Sequence, residues 1–325
     1  MNKNSPKVVV GTLTWNQKSD VLECLDSLVK LDYPNYEIVV VDNGSSDGTW
    51  EAVQARFPQV AVVRHPENFG CAEGVNGEIR YALERGADYL FIIANDAKVE
   101  PSTLSELVRA AERDSKIGVV FPKVYYWESN RIWYAYGTRV KEIRWFRGQF
   151  PGFVQNVEDD GSFGEERETE LFPGGFCLAR MEAVRKAGFL DADYFIFNDD
   201  DDWLYRIHKA GYTGRFIPSA RAWHKPSSSV GKESPVFYYY RTRNRLLFFR
   251  KHSPFMVFLA FLLFYYPFEL LLELYRLFRS DQRNQLKAVA RGVFDFIRGK
   301  FGQWEYHVSP AARRTPDSES VWRKV

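Results

Sequence analysis

The chain has 325 residues, of which 45% are hydrophobic and 26% charged, a composition that is typical of globular proteins and excludes a disordered chain. Lys and Arg total 44 against 42 for Asp and Glu, a net charge of +2 that is too balanced for a typical nucleic-acid-binding protein. Cys24, Cys71 and Cys177 form no CxxC pair, and the polar start of the chain lacks the apolar run of a secretory signal. Both features predict a cytoplasmic protein with reduced thiols.

The first hundred residues alternate between β-branched runs and segments with helical spacing. Buried strands are predicted over 7–12, 37–41, 60–64 and 88–93, with helices between them. Asp20 and Glu23 have the spacing of a capping box at the start of the first helix. A strand, a helix and a second strand form a βαβ unit, whose ligand crevice lies beyond the carboxyl ends of the strands. The expected fold class is therefore α/β, with a mostly parallel central sheet flanked by helices.

Polar residues follow two of the predicted strands. The second strand runs into a loop from Asp42 to Thr49, whose carboxylates can accept hydrogen bonds from a ribose or a base. The fourth strand runs into Asn95 and Asp96, and a carboxylate at a strand end suits a divalent cation that also holds phosphate oxygens. Each loop, taken alone, also fits an ordinary turn before the next helix.

The pattern loosens from Tyr125 to Glu170 and becomes regular again at Gly174-Gly175. The loose stretch fits either a β-meander or a flap. The run from Asp199 to Asp202 follows, and adjacent carboxylates repel one another unless water, a cation or a proton relieves them. In isolation this run fits a solvated helix cap, and a single histidine such as His224 fits a structural residue as well as a ligand.

Taken in order, these motifs resemble family 2 of the inverting glycosyltransferases with the GT-A fold, in particular its rhamnosyltransferase-like members that build bacterial polysaccharides. The matching motifs are Thr14-Trp15-Asn16, Val40 to Thr49, Glu67-Asn68-Phe69-Gly70, Asn95-Asp96, Gly174-Gly175, Asp199 to Asp202 with Arg206, and His224. Each motif is short, but their order and spacing over residues 7–250 are specific. Weaker likeness continues from Tyr238 to Arg245.

The resemblance implies a role for each matching position. Asp200, or its neighbour Asp199, is implied as the general base that takes a proton from the acceptor hydroxyl. Asp96 and His224 are implied as ligands of Mg²⁺ or Mn²⁺ on the donor diphosphate. The positions implied for nucleotide-sugar binding are Thr14, Trp15, Asn16, Asp42, Asn43, Ser45, Asn68, Gly70, Asn95, Gly174 and Gly175.

Ala94 departs from the family pattern, because the metal-binding motif usually has a second polar residue there. The predicted function is inverting transfer of a sugar, with rhamnose as one candidate, from a nucleotide-diphosphate donor to a glycan or lipid-linked acceptor. One alternative is a sugar nucleotidyltransferase, although Gly11 to Asn16 lacks the basic residues of a triphosphate loop. The other is a catalytically silent sugar-binding or membrane-interaction module.

The carboxyl-terminal part of the sequence is apolar and basic. Phe255 to Tyr266 is short for a membrane span and is bordered by Lys and Arg, as in helices that lie on anionic lipid. A helical hairpin packed on the protein, or on a second subunit in a homo-oligomer, fits the same pattern. We expect a catalytic domain over 1–250, a membrane-associating or oligomerising helical segment over 251–308, and a flexible tail over 309–325. The expected location is the cytoplasm, peripheral on the cytoplasmic face of the membrane.

Overall fold

The computed structural model of the chain describes residues 5–150, 152–172, 175–225 and 233–304. Gly174, one of the predicted nucleotide-sugar positions, lies outside the described residues. The strands are β1 (Val8–Thr14), β2 (Tyr36–Asp42), β3 (Ala61–Arg64), β4 (Tyr89–Ile93), β5 (Ala97–Val99), β6 (Ile117–Tyr126), β7 (Arg131–Tyr134), β8 (Gln155–Glu158), β9 (Arg167–Glu168), β10 (Phe176–Arg180) and β11 (Thr213–His224).

The α-helices lie mostly between strands in the first two thirds of the chain and follow one another after β11. They are α1 (Lys18–Leu28), α2 (Thr49–Arg56), α3 (Gly70–Glu84), α4 (Thr103–Ala111), α5 (Met181–Ala187), α6 (Asp199–Lys209), α7 (Pro235–His252), α8 (Phe255–Ala260), α9 (Tyr266–Arg279) and α10 (Arg283–Ile297). One π-helical turn, Phe261–Tyr265, joins α8 to α9.

The strands form one sheet with the order β3-β2-β1-β4-β10-β6-β11-β5, and β7, β8 and β9 pair at its side. β1 is parallel to both of its neighbours, with Thr14 opposite Asp42 of β2 and Gly11 opposite Ile92 of β4. β10 is antiparallel to β4 and to β6, and β6 is parallel to β11. The carboxyl ends of β1, β2, β4 and β11 therefore point the same way, which is the α/β arrangement that the sequence predicts.

Two details differ from the sequence-based expectations, and a third, the β-meander, is one of the two alternatives that they left open. α1 begins at Lys18 without a side-chain cap, so the predicted capping box is wrong; Asp20 and Glu23 instead form ion pairs with Lys225. The stretch after Tyr125 contains a β-meander, in which β7 pairs with β6 and β8 pairs with β7. β11 continues through Pro218 to His224 because its pairing with β6 shifts register between Ile217 and Arg221.

The helices after β11 pack on one another and on the segment that precedes α6. Tyr238, Tyr239 and Tyr240 of α7 are buried with Leu277 of α9 and with α10, in a second apolar cluster. The continuous helical stretch Phe255–Arg279 has 25 residues and a mean hydropathy of 2.1 in its most apolar window, of which only 17% is buried. By length and composition it is the one helix in the described part of the chain that could cross a membrane.

Candidate functional site

Asp42 ends β2 at the carboxyl edge of the sheet and is completely buried. Its Oδ1 accepts a hydrogen bond from the Ser45 backbone at 2.9 Å, so the carboxylate closes the turn that follows the strand. Its Oδ2 has no hydrogen-bond partner among the described residues, and the Nε of Arg64 lies 3.8 Å away. A buried acceptor without a donor is costly, which makes this oxygen a natural acceptor for a ligand N–H or O–H.

Asn43 ties this turn to the start of α3. Its Nδ2 donates to Asn68 Oδ1 at 2.9 Å and to the Gly70 carbonyl at 3.0 Å, while its Oδ1 faces His65 Nδ1 at 3.0 Å. Gly70 has a φ of +88°, and a Cβ there would lie 2.5 Å from the Phe195 carbonyl oxygen. The predicted positions Asn43, Asn68 and Gly70 are thus part of the framework that shapes the edge.

The neighbouring turn after β1 is fastened to the same loop. The Asn16 backbone donates to Ser45 Oγ at 2.9 Å, and its side-chain oxygen accepts from the Ser46 backbone at 2.8 Å. Trp15, the residue before Asn16, is 44% exposed. These bonds leave the Trp15 indole as an open aromatic surface on which a nucleotide base can stack.

Asp96 and His224 lie together, although 128 residues separate them in the chain. The strand β5 directly after Asp96 is antiparallel to β11 and pairs Ala97 with His224, so the carboxyl ends of β4 and β11 converge. Asp96 Oδ1 is 3.0 Å from His224 Nε2, and the imidazole is packed against Trp133 at 4.2 Å between ring centroids. Carboxylate and imidazole are ligand types that a divalent cation accepts.

Asn95 is turned away from this pair. Its Nδ2 donates to Thr14 Oγ1 at 3.1 Å and to Gln17 Oε1 at 2.9 Å, which joins the ends of β4 and β1. The described residues contain no group of three or more His, Cys, Asp and Glu side chains that could hold a metal ion. Asp96 and His224 are two candidate ligands, fewer than such a group contains, so a cation held by this pair would need further ligands from beyond the described side chains.

Gly175 lies next to the same edge, opposite Ala94. Its carbonyl accepts from the Ala94 backbone at 2.7 Å, and its φ is +83°. A Cβ at Gly175 would lie 3.3 Å from that of Ala94. The small residues at both positions allow the two chains to come this close, which gives a packing reason for the absence of a polar side chain at Ala94.

The four aspartates begin α6, and their surroundings differ. Asp199 and Asp200 line a cavity of about 40 Å³ together with Gly175. Burial raises the pKa of Asp199 to about 8, and the charge of Asp200 adds to the effect. Burial and the charge of Asp200 also hold the pKa of Asp201 well above its usual range, while Asn198 donates to it at 2.8 Å.

Asp202 has a structural role and is not the helix cap that the sequence suggests. Asn198 is the N-cap residue, and Asp202 Oδ2 accepts from Arg206 at 2.7 Å. Its Oδ1 contacts Lys251 at 2.6 Å and His252 at 2.8 Å, both at the end of α7. Burial opposes ionisation, but the His252 hydrogen bond and the cationic neighbours hold the pKa of Asp202 well below its usual range.

A cavity of about 670 Å³ opens beside Trp15 and is lined mainly by apolar groups. Trp15, Asn95 and Cys71 contribute from the sheet edge, and Tyr240 and Trp304 contribute from the carboxyl-terminal part. Asp42, Asn43 and Ser45 lie in the framework behind this edge, outside the cavity lining. The sequence-based prediction did not include the cavity-lining residues of α7 and Trp304. The aromatic run Tyr238-Tyr239-Tyr240 was the available signal for them.

Comparisons with known proteins agree with this arrangement. Residues 9–164 match the model of glycosyl transferase family 2. A dTDP-rhamnosyl transferase, RfbF, from Shigella flexneri is 26% identical over 324 residues, which cover 94% of this chain and all of the relative. Residues 9–164 are therefore a family 2 glycosyltransferase domain. The protein is a glycosyltransferase.

A second relative and a solved structure are also similar to this glycosyltransferase. An N-acetylglucosaminyl-diphospho-decaprenol L-rhamnosyltransferase from Mycobacterium tuberculosis is 27% identical over 214 residues, covering 60% of this chain and 68% of the relative. The mannosyltransferase PcManGT from Pyrobaculum calidifontis, solved with GDP-Man and Mn²⁺, superposes with a TM-score of 0.56 at 18% identity, covering 92% of this chain and 89% of that one. This likeness shows the GT-A fold. The family model ends before Asp199, His224 and α7.

Proposed function

We propose that the enzyme transfers rhamnose, with inversion, from a nucleotide-diphosphate donor to a glycan or lipid-linked acceptor on the cytoplasmic side of a membrane. The observation that carries the proposal is the shared sheet edge, where Trp15, Asp42, the Asp96–His224 pair and Asp200 all follow strand ends or begin a helix. The two rhamnosyltransferase relatives support the choice of sugar. The dTDP named for the Shigella protein makes dTDP-rhamnose the first donor to test.

The donor side of the site uses residues with distinct tasks. Trp15 stacks on the base, and the buried Oδ2 of Asp42 would accept a hydrogen bond from the base or ribose once the loop that covers it opens. Asp96 and His224 would hold Mg²⁺ or Mn²⁺, because carboxylate and imidazole suit a cation that takes its other ligands from phosphate oxygens. When bound, such a cation offsets the charge that develops on the leaving diphosphate.

The acceptor side depends on the Asp199 and Asp200 pair. At neutral pH the more deeply buried Asp199 retains its proton, since its pKa is raised to about 8, so we assign the role of the base to Asp200. Asp200 takes the proton of the acceptor hydroxyl as that oxygen attacks the anomeric carbon. The bond from the anomeric carbon to the diphosphate breaks on the opposite face, so the configuration inverts and nucleotide diphosphate leaves.

We also propose that the exposed apolar helix Phe255–Arg279 binds an anionic bilayer, where a lipid-linked acceptor is located. Phe264 and Phe268 are 74% and 65% exposed on this helix. Exposed basic residues on its carboxyl-terminal side include Arg279, Arg283, Lys287, Arg298 and Lys300. On the other side, Arg243 is buried and Lys251 is paired with Asp202, so those cations do not serve as lipid contacts.

The test combines donor binding with turnover. dTDP-rhamnose with Mg²⁺ or Mn²⁺ is expected to raise the Tm more than the UDP- and GDP-sugars, because the true donor stabilises by mass action. With N-acetylglucosaminyl-diphospho-polyprenol as acceptor, dTDP release is expected only when both substrates are present. Asp200→Asn should lower turnover by about 100-fold or more while the donor-induced Tm shift persists.

Each rival function has its own outcome in the same assay. Asp96→Ala should weaken the metal-dependent part of the Tm shift, and a shift that does not respond to chelation would contradict the metal assignment. Pyrophosphate release from a nucleoside triphosphate and a sugar phosphate would indicate a sugar nucleotidyltransferase. A donor-induced Tm shift with no release for any acceptor would indicate a silent binding module. Full turnover by Asp200→Asn would overturn the assignment of the base.

A further inference from the structure

The backbone that leads into α6 has an unusual conformation. In the segment from Asp193 to Asn198, the 193–198 loop, Phe195, Phe197 and Asn198 have positive φ values of 62°, 67° and 62°. Aromatic residues are rare in this left-handed region, because the Cβ crowds the backbone. Such a conformation persists where surrounding contacts impose it. The contacts that hold the loop in this conformation therefore indicate its role.

Every carbonyl of residues 193–197 accepts a hydrogen bond from outside the 193–198 loop. Arg243 donates to the carbonyls of residues 193 and 194 at 2.9 and 3.0 Å. Asn244 donates to those of residues 194, 196 and 197 at 2.9, 2.7 and 2.8 Å. The remaining carbonyl, that of Phe195, accepts from the backbone of Cys71 at 2.6 Å and of Ala72 at 3.3 Å at the start of α3.

Arg243 and Asn244 are both completely buried, and they are bonded to each other at 2.9 Å between Nε and Oδ1. Arg243 also donates to the Gly302 carbonyl at 2.7 Å. Burying a guanidinium is costly unless all of its donors are satisfied, and an apolar side chain would fill the same space without that cost. Holding several carbonyls in one arrangement is a task that an apolar side chain cannot do.

The same helix also fixes the chain on the other side of the acidic pair. Lys251 and His252 follow Asn244 by two helical turns, so they lie on the same side of α7, and both contact Asp202. α7 therefore binds the backbone just before Asp199 and the side chain just after Asp201. The position of Asp199 and Asp200 relative to the sheet edge follows from these two attachments.

We propose that Arg243 and Asn244 are positioning residues for the glycosyl transfer, which hold the 193–198 loop in the one conformation that presents Asp200 to the acceptor hydroxyl. This inference rests on the proposed function, because it takes Asp200 as the base. A general base must lie within hydrogen-bond reach of the proton that it removes, so a small displacement of the loop lowers the rate of the chemical step. Trp15 and Asp42 lie on other elements, whereas Phe195 and Ile196 of the loop line the same cavity as Trp15, so kcat should fall by a larger factor than donor affinity.

The test uses the full-length enzyme and separates kcat from KM. Asn244→Ala is expected to lower kcat about 100-fold, the effect of misplacing a reacting group by about 1 Å, with a much smaller change in the donor KM. Arg243→Lys retains the charge but fewer donors, and should lower kcat by a smaller factor. Arg241→Gln, at an exposed position on the same helix, should leave both constants at their wild-type values.

A second control removes the effect of stability alone. Leu107→Ala deletes buried side-chain volume in α4, away from the 193–198 loop, and should lower Tm with little change in kcat. If Asn244→Ala, at a similar Tm, loses no more kcat than Leu107→Ala, the proposal is overturned. If Asn244→Ala does not fold, Arg243→Lys decides by the same comparison. Failure of the proposed function shows separately, as full turnover by Asp200→Asn.

Discussion

The Asp199–Asp202 run contains carboxyl groups with opposite properties. Burial and the charge of Asp200 raise the pKa of Asp199 to about 8, whereas His252, Arg206 and Lys251 hold that of Asp202 well below its usual range despite its burial. The sequence shows four identical residues and predicts a base among them. It does not predict which carboxyl group is ionised, because the partners of Asp202 come from α7, about 50 residues further along the chain.

The raised pKa of Asp199 makes a prediction about stability and pH. The folded protein keeps a proton on Asp199 that the unfolded chain releases above its ordinary pKa of 3.8. The contribution of this group to stability is therefore complete below about pH 4 and is lost as the pH rises through about 8. Asp199→Asn cannot release a proton, so its Tm should fall less between pH 5 and pH 8 than that of the wild type.

Thermal melts at half-unit pH steps check this expectation. Asp281→Asn, which changes an exposed carboxyl group, is the matched control and should keep the wild-type pH profile. Asp202 does not obscure the comparison, because a depressed pKa costs stability only as the pH falls towards that low value. Parallel Tm profiles for the wild type and Asp199→Asn would contradict the assignment of the raised pKa to this residue.

Strands and helices were predicted well where the spacing of the hydrophobic residues determines them. β1 and β2 begin within a residue of their predicted bounds, because each buries a regular apolar run. The meander after Tyr125 had no readable period, since its aromatic side chains pack against one another in no fixed alternation. The apolar run from Phe255 to Tyr266 is short for a membrane span. The helix nevertheless continues to Arg279, because its later turns are amphipathic.

The exposed face of this helix makes a prediction about membrane binding. Phe264 and Phe268 are one turn apart, and Leu271 and Tyr275 continue the stripe, all more than half exposed. The double variant Phe264→Ser with Phe268→Ser should reduce binding to anionic phosphatidylglycerol vesicles about tenfold or more, because each phenyl ring adds apolar area that leaves water. Cosedimentation at low and high salt measures the apolar and the electrostatic contributions.

Phe189→Ser changes another exposed aromatic residue, which lies between α5 and α6, and should leave vesicle binding unchanged. Wild-type protein that stays in the supernatant with anionic vesicles at low salt would contradict membrane binding. If the same protein elutes as a dimer that Phe264→Ser with Phe268→Ser converts to a monomer, the face binds a second copy instead.

Contacts of α7 with α10 and Trp304 join the two sides of the predicted boundary near residue 250. Tyr239 of α7 donates to Asp295 of α10 at 2.9 Å and stacks on Trp304, with 4.1 Å between ring centroids. Arg243 bonds the carbonyl of Gly302, next to that tryptophan. The sequence places a boundary near residue 250 because composition changes there. Composition does not reveal that α10 returns to cover α7, since such contacts join residues about 50 positions apart.

We therefore propose that residues 251–304 belong to the folding unit of the catalytic domain. A chain ended after His252 loses the cover of Tyr239 and the carbonyl partner of Arg243, and should lower the Tm by about 10 °C or more, the effect of losing several kcal/mol in a domain of this size. The full-length double variant Phe264→Ser with Phe268→Ser is the control, since it changes only the exposed face and should keep the wild-type Tm. A shortened chain with wild-type Tm and turnover on a water-soluble acceptor would instead make the segment a separable membrane anchor.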